Sequence, residues 1–152
     1  MKSRILLCLL LASRAISDGD EQEKSFNSEK DLLHVQFDCK TDVDDLPTVA
    51  VMSTMLSDSN FNDINYHVVA GTYGILDGSY VPPNTLFQLA FEDNWTDAYN
   101  NFLPAVKKVT ILIEAILNKD GNIWIAEAGQ SDFTAYYNAI PLKGMGEKYL
   151  IS

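Results

Sequence analysis

The stretch Leu32-Leu33-His34-Val35-Gln36-Phe37-Asp38-Cys39-Lys40-Thr41-Asp42-Val43-Asp44-Asp45-Leu46-Pro47-Thr48-Val49 decides the fold. Leu33, Val35 and Phe37 recur with a period of two, the spacing of a β-strand, and run directly into Asp38. From Leu46-Pro47-Thr48 onward, Val49, Met52 and Leu56 fall at helical spacing. Pro47 stands in the first helical turn, where its missing N–H costs nothing. Between strand and helix lie Asp38, Asp42, Asp44 and Asp45. The segment therefore reads as strand, acidic turn, helix.

Downstream, residues 64–70 read as a second strand ending at Gly71-Thr72-Tyr73-Gly74. Residues 78–84, with Pro82-Pro83, are irregular by their chemistry. Residues 93–101 and 104–117 read as a long helical region in which Val106, Val109, Ile113 and Ile116 form one apolar face and Trp95, Tyr99 and Phe102 another. Lys119-Asp120-Gly121-Asn122 ends it, and residues 123–126 give a short third strand. Gly129 opens a further turn before a helix marked by Phe133, Tyr136, Tyr137 and Ile140. Strands alternating with helices predict an α/β fold, Rossmann-like, with a mostly parallel sheet and helices on both faces. In such sheets ligands sit outside the carboxyl ends of strands, so the turns at 38–45, 71–74 and 129–132 should converge on one rim.

Upstream, Lys2 and Arg4 precede the apolar run 5–12, and small residues follow at Ser13, Ala15 and Ser17. That is the pattern of a secretory signal peptide over residues 1–17, which implies a secreted or periplasmic protein. The apolar run is too short for a bilayer anchor, so no membrane attachment is expected after cleavage. Residues 18–31 are polar and aperiodic, a flexible leader into a domain over 32–152. Three basic residues and no acid leave with the signal, so 11 basic against 21 acidic side chains becomes 8 against 21, a net charge of −13. That surface repels phosphate backbones and argues against a nucleic-acid partner. Only Cys39 remains of the two cysteines, so the fold must rest on its core, with 47% apolar residues available to build it.

Four carboxylates within eight residues repel one another, and at a buried strand end the repulsion raises their pKa values unless donors or a cation balance it. Calcium accepts several oxygen ligands in loose geometry, so Asp38 and Asp45 are candidate ligands, with Asp42 and Asp44 facing a ligand's hydroxyls. The competing reading is a solvated loop with a helix-capping Asp. An EF-hand is excluded, because Val49 stands where its bidentate Glu should fall.

The spacing Asp-x-x-x-Asp-x-Asp-Asp after a strand resembles the nucleoside hydrolase superfamily, in its nucleoside-hydrolase-like branch. His67-Val68-Val69-Ala70-Gly71-Thr72 is similar to that family's second strand and loop, and residues 125–135 to its Gly-Pro-Leu-Thr-Asn turn. The resemblance covers residues 33–140 and implies a small-molecule nucleoside or sugar as ligand and calcium as cofactor. It also implies that Asp45 binds calcium, that Asp38 supports the metal site, that Asp44 meets the sugar hydroxyls, and that the Asp132 backbone carbonyl completes the metal shell. The activity implied is hydrolysis of an N-glycosidic or related glycosyl bond. Lys40 occupies the position of the family's catalytic base, and Asp42 is the candidate replacement. Members of the family are much longer, so the resemblance implies an incomplete domain, either a fragment or a truncated relative. A carbohydrate-binding domain without hydrolysis is the alternative that Lys40 favours.

Glu127 is a further candidate for the rim, and Gln130 and Ser131 would present donors there at a helix N-terminus. His34 and His67 lie inside strands, where a structural role is expected. Asn94-Trp95-Thr96 fits the N-glycosylation acceptor pattern.

Overall fold

The computed structural model describes residues 25–39, 44–61, 63–72, 79–127 and 133–135. The proposed signal segment 1–17, Lys40, Asp42, Gln130, Asp132 and the turn at Gly129 lie outside the described residues. The elements in chain order are β1 (Leu32–Phe37), α1 (Asp45–Leu56), β2 (Tyr66–Ala70), α2 (Asn84–Phe91), β3 (Trp95–Asp97), α3 (Phe102–Leu117) and β4 (Ile123–Glu127).

All three strand pairings are parallel, and the sheet order is β3-β2-β1-β4. The alternation in β1 sorts its side chains between two layers. Val35, Phe37 and Cys39 pack with Val68 and Ala70 of β2 against Val49 of α1 and Phe87 and Phe91 of α2. On the opposite face Val69, Ile123 and Ile125 meet Val106, Val109 and Ile113 of α3 together with Phe133. Helices thus cover both faces of a parallel sheet, the Rossmann-like arrangement expected from the alternation of elements.

The strand order defines a place as well as a shape. From β1 the chain steps outward to β2 and β3 with α1 and α2 on one face, and α3 then carries it across the other face to β4 on the far side of β1. The direction of winding reverses between β1 and β4, which makes the crevice at their carboxyl ends the topological switch point.

Two local readings are corrected. Residues 93–101 are not helical: they contain β3, whose Trp95, Thr96 and Asp97 pair with Val68, Val69 and Ala70. Trp95, Tyr99 and Phe102 therefore do not share a helical face. A helix at 84–91 precedes the strand, beginning after Pro83, where the Pro82-Pro83 punctuation read only as irregular chain. The strand at 123–127 is consequently the fourth.

The chain is tied down before β1 begins. Asp31 is buried and accepts hydrogen bonds from Asn27 N (3.0 Å), Asn122 N (2.8 Å), Asn122 Nδ2 (3.0 Å) and Trp124 Nε1 (2.8 Å). These fasten the amino-terminal end of the sheet, opposite the acidic turn.

Candidate functional site

Because every strand runs the same way, Asp38, Gly71, Asp97 and Glu127 all come to one edge, the carboxyl edge of the sheet. β1 ends at Phe37, and its carbonyl accepts the N–H groups of Gly71 (2.8 Å) and Thr72 (3.2 Å), which seats the loop after β2 beside the acidic turn. Cys39 then adopts a left-handed backbone, φ 54, that few non-glycine residues take up. Its carbonyl accepts from Val81 N (3.0 Å), which draws in the segment before α2.

Asp45, in the first turn of α1, points back and accepts the Cys39 N–H at 2.8 Å. It is 8% exposed and shares a side-chain hydrogen bond with Asp38. Burial raises its pKa; the Cys39 N–H opposes the shift, and the Asp38 hydrogen bond and the charges of Asp38 and Asp44 add to it, for a value of about 6. Asp44 is exposed at the N-cap position, but its side chain makes no capping hydrogen bond there. The capping role considered from sequence is thus not filled by Asp44.

Cys39 is 1% exposed. Burial pushes its thiol up to about 12, with the Asp45, Asp38 and Asp97 charges adding to the shift and the Gly71 N–H opposing it. A thiol in that state is a small core filler rather than a nucleophile.

Three features of the rim escaped sequence reasoning. Asp97, at the end of β3, accepts from Asn84 Nδ2 (3.0 Å), Asn100 N (3.0 Å) and Asn100 Nδ2 (2.6 Å). Burial alone would raise its pKa, yet these donors together hold it below the usual carboxylate range. Tyr80 and Tyr99 stack face to face, centroids 3.7 Å apart, beside Gly71. Gln36, buried inside β1, joins Glu127 through Thr134: Gln36 Nε2 donates to Thr134 Oγ1 (2.7 Å), whose hydroxyl donates to Glu127 Oε1. One signal was present in advance, since Gln36 is a polar residue in a strand covered on both faces.

Of the sequence-derived residues, the structure brings Asp38 and Asp45 together, leaves Asp44 exposed beside them, and puts Glu127 at the neighbouring strand end. Asp42, Gln130 and Asp132 lie outside the described residues. Among the described residues no group of three or more His, Cys, Asp or Glu side chains is placed to hold a metal ion, and no helix is long and apolar enough to cross a membrane. No family model, curated protein or solved structure matches this chain.

Proposed function

We propose that the chain is an exported, nucleoside-hydrolase-like hydrolase that takes a nucleoside or related glycosyl compound at the carboxyl rim of its sheet and cleaves the glycosidic bond with water. The observation that carries the reading is the hydrogen-bonded Asp38–Asp45 pair at the end of the central strand, next to the switch point. Two carboxyl groups in contact, one with its pKa raised to about 6, are hard oxygen donors whose repulsion a divalent cation relieves. They fit calcium, which takes six to eight oxygens, and the remainder of the shell falls to the Asp132 carbonyl, water and the ligand. When bound, calcium would hold the sugar hydroxyls and polarise the attacking water. Asp44, exposed beside the pair, accepts a sugar hydroxyl; Asp42 takes the water's proton in place of the base that Lys40, a lysine and so ordinarily a cation at neutral pH, cannot supply.

The test is incubation of the secreted protein with purine and pyrimidine nucleosides, with and without calcium, following release of free base and sugar. Calcium-dependent release is expected, and an Asp42→Asn variant should lose it. No release from any nucleoside would remove the hydrolase reading. Lys40 at the base position favours a second reading, a carbohydrate-binding domain that keeps the same rim. It is distinguished by calcium-dependent sugar binding without turnover.

A further inference from the structure

Asn94-Trp95-Thr96 is the one place in the sequence where an asparagine stands two residues before a serine or threonine without an intervening proline, the acceptor pattern for an N-linked glycan. Such a pattern carries weight only where the folded chain leaves room for the sugar. Asn94 lies in the turn between α2 and β3 and is exposed. Its backbone N–H donates to the Phe91 carbonyl (2.8 Å) and its carbonyl accepts from Val68 N (2.9 Å), so the turn that presents the side chain is fixed at both ends. Other asparagines spend their side-chain amides inside the fold: Asn65 and Asn122 donate to Asp31, and Asn84 and Asn100 to Asp97. The next two residues of the pattern are committed to opposite faces of the sheet, as strand alternation requires. Trp95 packs on Phe87 with ring centroids 5.4 Å apart, and the Thr96 hydroxyl is hydrogen-bonded to His67 Nε2 at 2.8 Å. Because all strands are parallel, Asn94 stands at the amino end of β3, away from the carboxyl rim. Bulk at that turn leaves the rim open.

We infer that Asn94 is an N-glycosylation site, filled during export and before β3 docks onto β2. The inference rests on the export part of the proposed function and is independent of the chemistry at the rim. In the transfer, Asn94 Nδ2 forms a bond to C1 of the first sugar of a lipid-diphosphate-linked oligosaccharide. The bond from C1 to the phosphate oxygen breaks, the lipid diphosphate leaves with that bond's electron pair, and one amide proton passes to a base of the host's transferase. The order of events follows from Thr96. The acceptor pattern demands a hydroxyl two residues after the asparagine, and in the fold that hydroxyl is held by His67 while Trp95 is packed against α2. The three residues are free to be read together only while the chain is still extended. Folding then hides Thr96 and leaves the modified Asn94 in solvent, where a bulky, hydrophilic glycan is tolerated.

The experiment is cell-free translation of the full chain with eukaryotic endoplasmic-reticulum microsomes, on wild type, Asn94→Gln, Thr96→Ala and Thr96→Ser. Three readouts are taken: protection from added protease, gel mobility, and the effect of peptide-N-glycosidase on that mobility. The expected result is a protected wild-type chain retarded by a single glycan, a shift that the glycosidase removes. Asn94→Gln and Thr96→Ala should stay protected and lose the shift, and Thr96→Ser, which keeps the hydroxyl, should retain it. Because transfer precedes folding, none of these readouts requires a variant to reach the native state. A protected wild-type chain without a shift overturns the site and leaves export standing. An unprotected chain overturns both, and a shift that persists in Asn94→Gln overturns the assignment to that residue. The order of events is tested on folded, unglycosylated full chain offered to detergent-opened microsomes in a reaction that glycosylates a short acceptor peptide. The folded chain should accept no glycan, and acceptance at Asn94 overturns the proposed order.

Discussion

His34 and His67 are register partners in adjacent strands and stack with their rings 6.5 Å apart and 6° from parallel, buried between the sheet and α3. His67 Nε2 is hydrogen-bonded to Thr96 Oγ1 at 2.8 Å, so the pair extends to β3. Burial first and the neighbouring His67 charge second lower His34 to about 3, against a backbone hydrogen bond with His67 that opposes the shift. Burial likewise lowers His67 to about 4, with Lys108 adding to the shift.

Stability should therefore fall on mild acidification. Both folded values lie below the ordinary 6.5, so the contribution of the neutral rings is fully present above pH 6.5 and is lost as pH falls towards 4 and 3. Each histidine contributes a slope of about 1.4 kcal/mol per pH unit inside its window. Asp45, raised to about 6, acts in the opposite sense: its protonation as pH falls below 6 favours the folded state and offsets part of the loss. Urea denaturation at half-unit steps from pH 7 to 4 should show a net decline that His67→Gln makes shallower. A flat profile would contradict the buried neutral pair.

Asp31 should be the costliest carboxylate to remove. Its four hydrogen bonds join the turn before β1 to Asn122 and Trp124 at the start of β4. Asp31→Ala strands those donors and should cost about 3 kcal/mol or more in denaturant unfolding. Asp31→Asn, which keeps acceptor oxygen, should cost less.

Gly71 admits no side chain, for two independent reasons. Its φ is +87, and a Cβ there would stand 2.6 Å from Tyr99 Cβ and 2.7 Å from Tyr99 N. Gly71→Ala should destabilise by about 2–4 kcal/mol, the sum of the left-handed penalty and overpacking. The shift would also displace the Tyr80–Tyr99 stack, visible as a change in near-ultraviolet circular dichroism.

Asp45→Asn should stabilise the protein and disable it together. At pH 7 the ionised, buried Asp45 opposes folding, so a neutral side chain that still accepts the Cys39 N–H should raise Tm in the absence of calcium. Calcium should raise the wild-type Tm by mass action and leave the variant unmoved. An equal calcium response in both proteins would remove Asp45 from the proposed metal site.

Local chemistry made β1, the acidic turn, α1 and α3 legible in advance, because each carries its own period of apolar residues and its own punctuation. β3 was hidden for the opposite reason. Three residues, Trp95, Thr96 and Asp97, carry too little periodicity to read as a strand, and Trp95, Tyr99 and Phe102 happen to fall at helical spacing. Their strand conformation comes from hydrogen bonds to β2, a partner distant in sequence. The candidate site divides along the same line. The carboxylates after β1 could be read from their spacing, since all four fall within eight residues of the sequence. The Gln36–Thr134 contact spans 98 residues, and Asp97 reaches the rim only because β3 takes the outer place in the sheet. Sequence by itself determined which residues could build strands, helices and an acidic turn. The order in which the strands lie side by side, and hence which polar groups share a proton at the switch point, was decided only by tertiary packing, because hydrogen bonds between strands join residues that no local pattern connects.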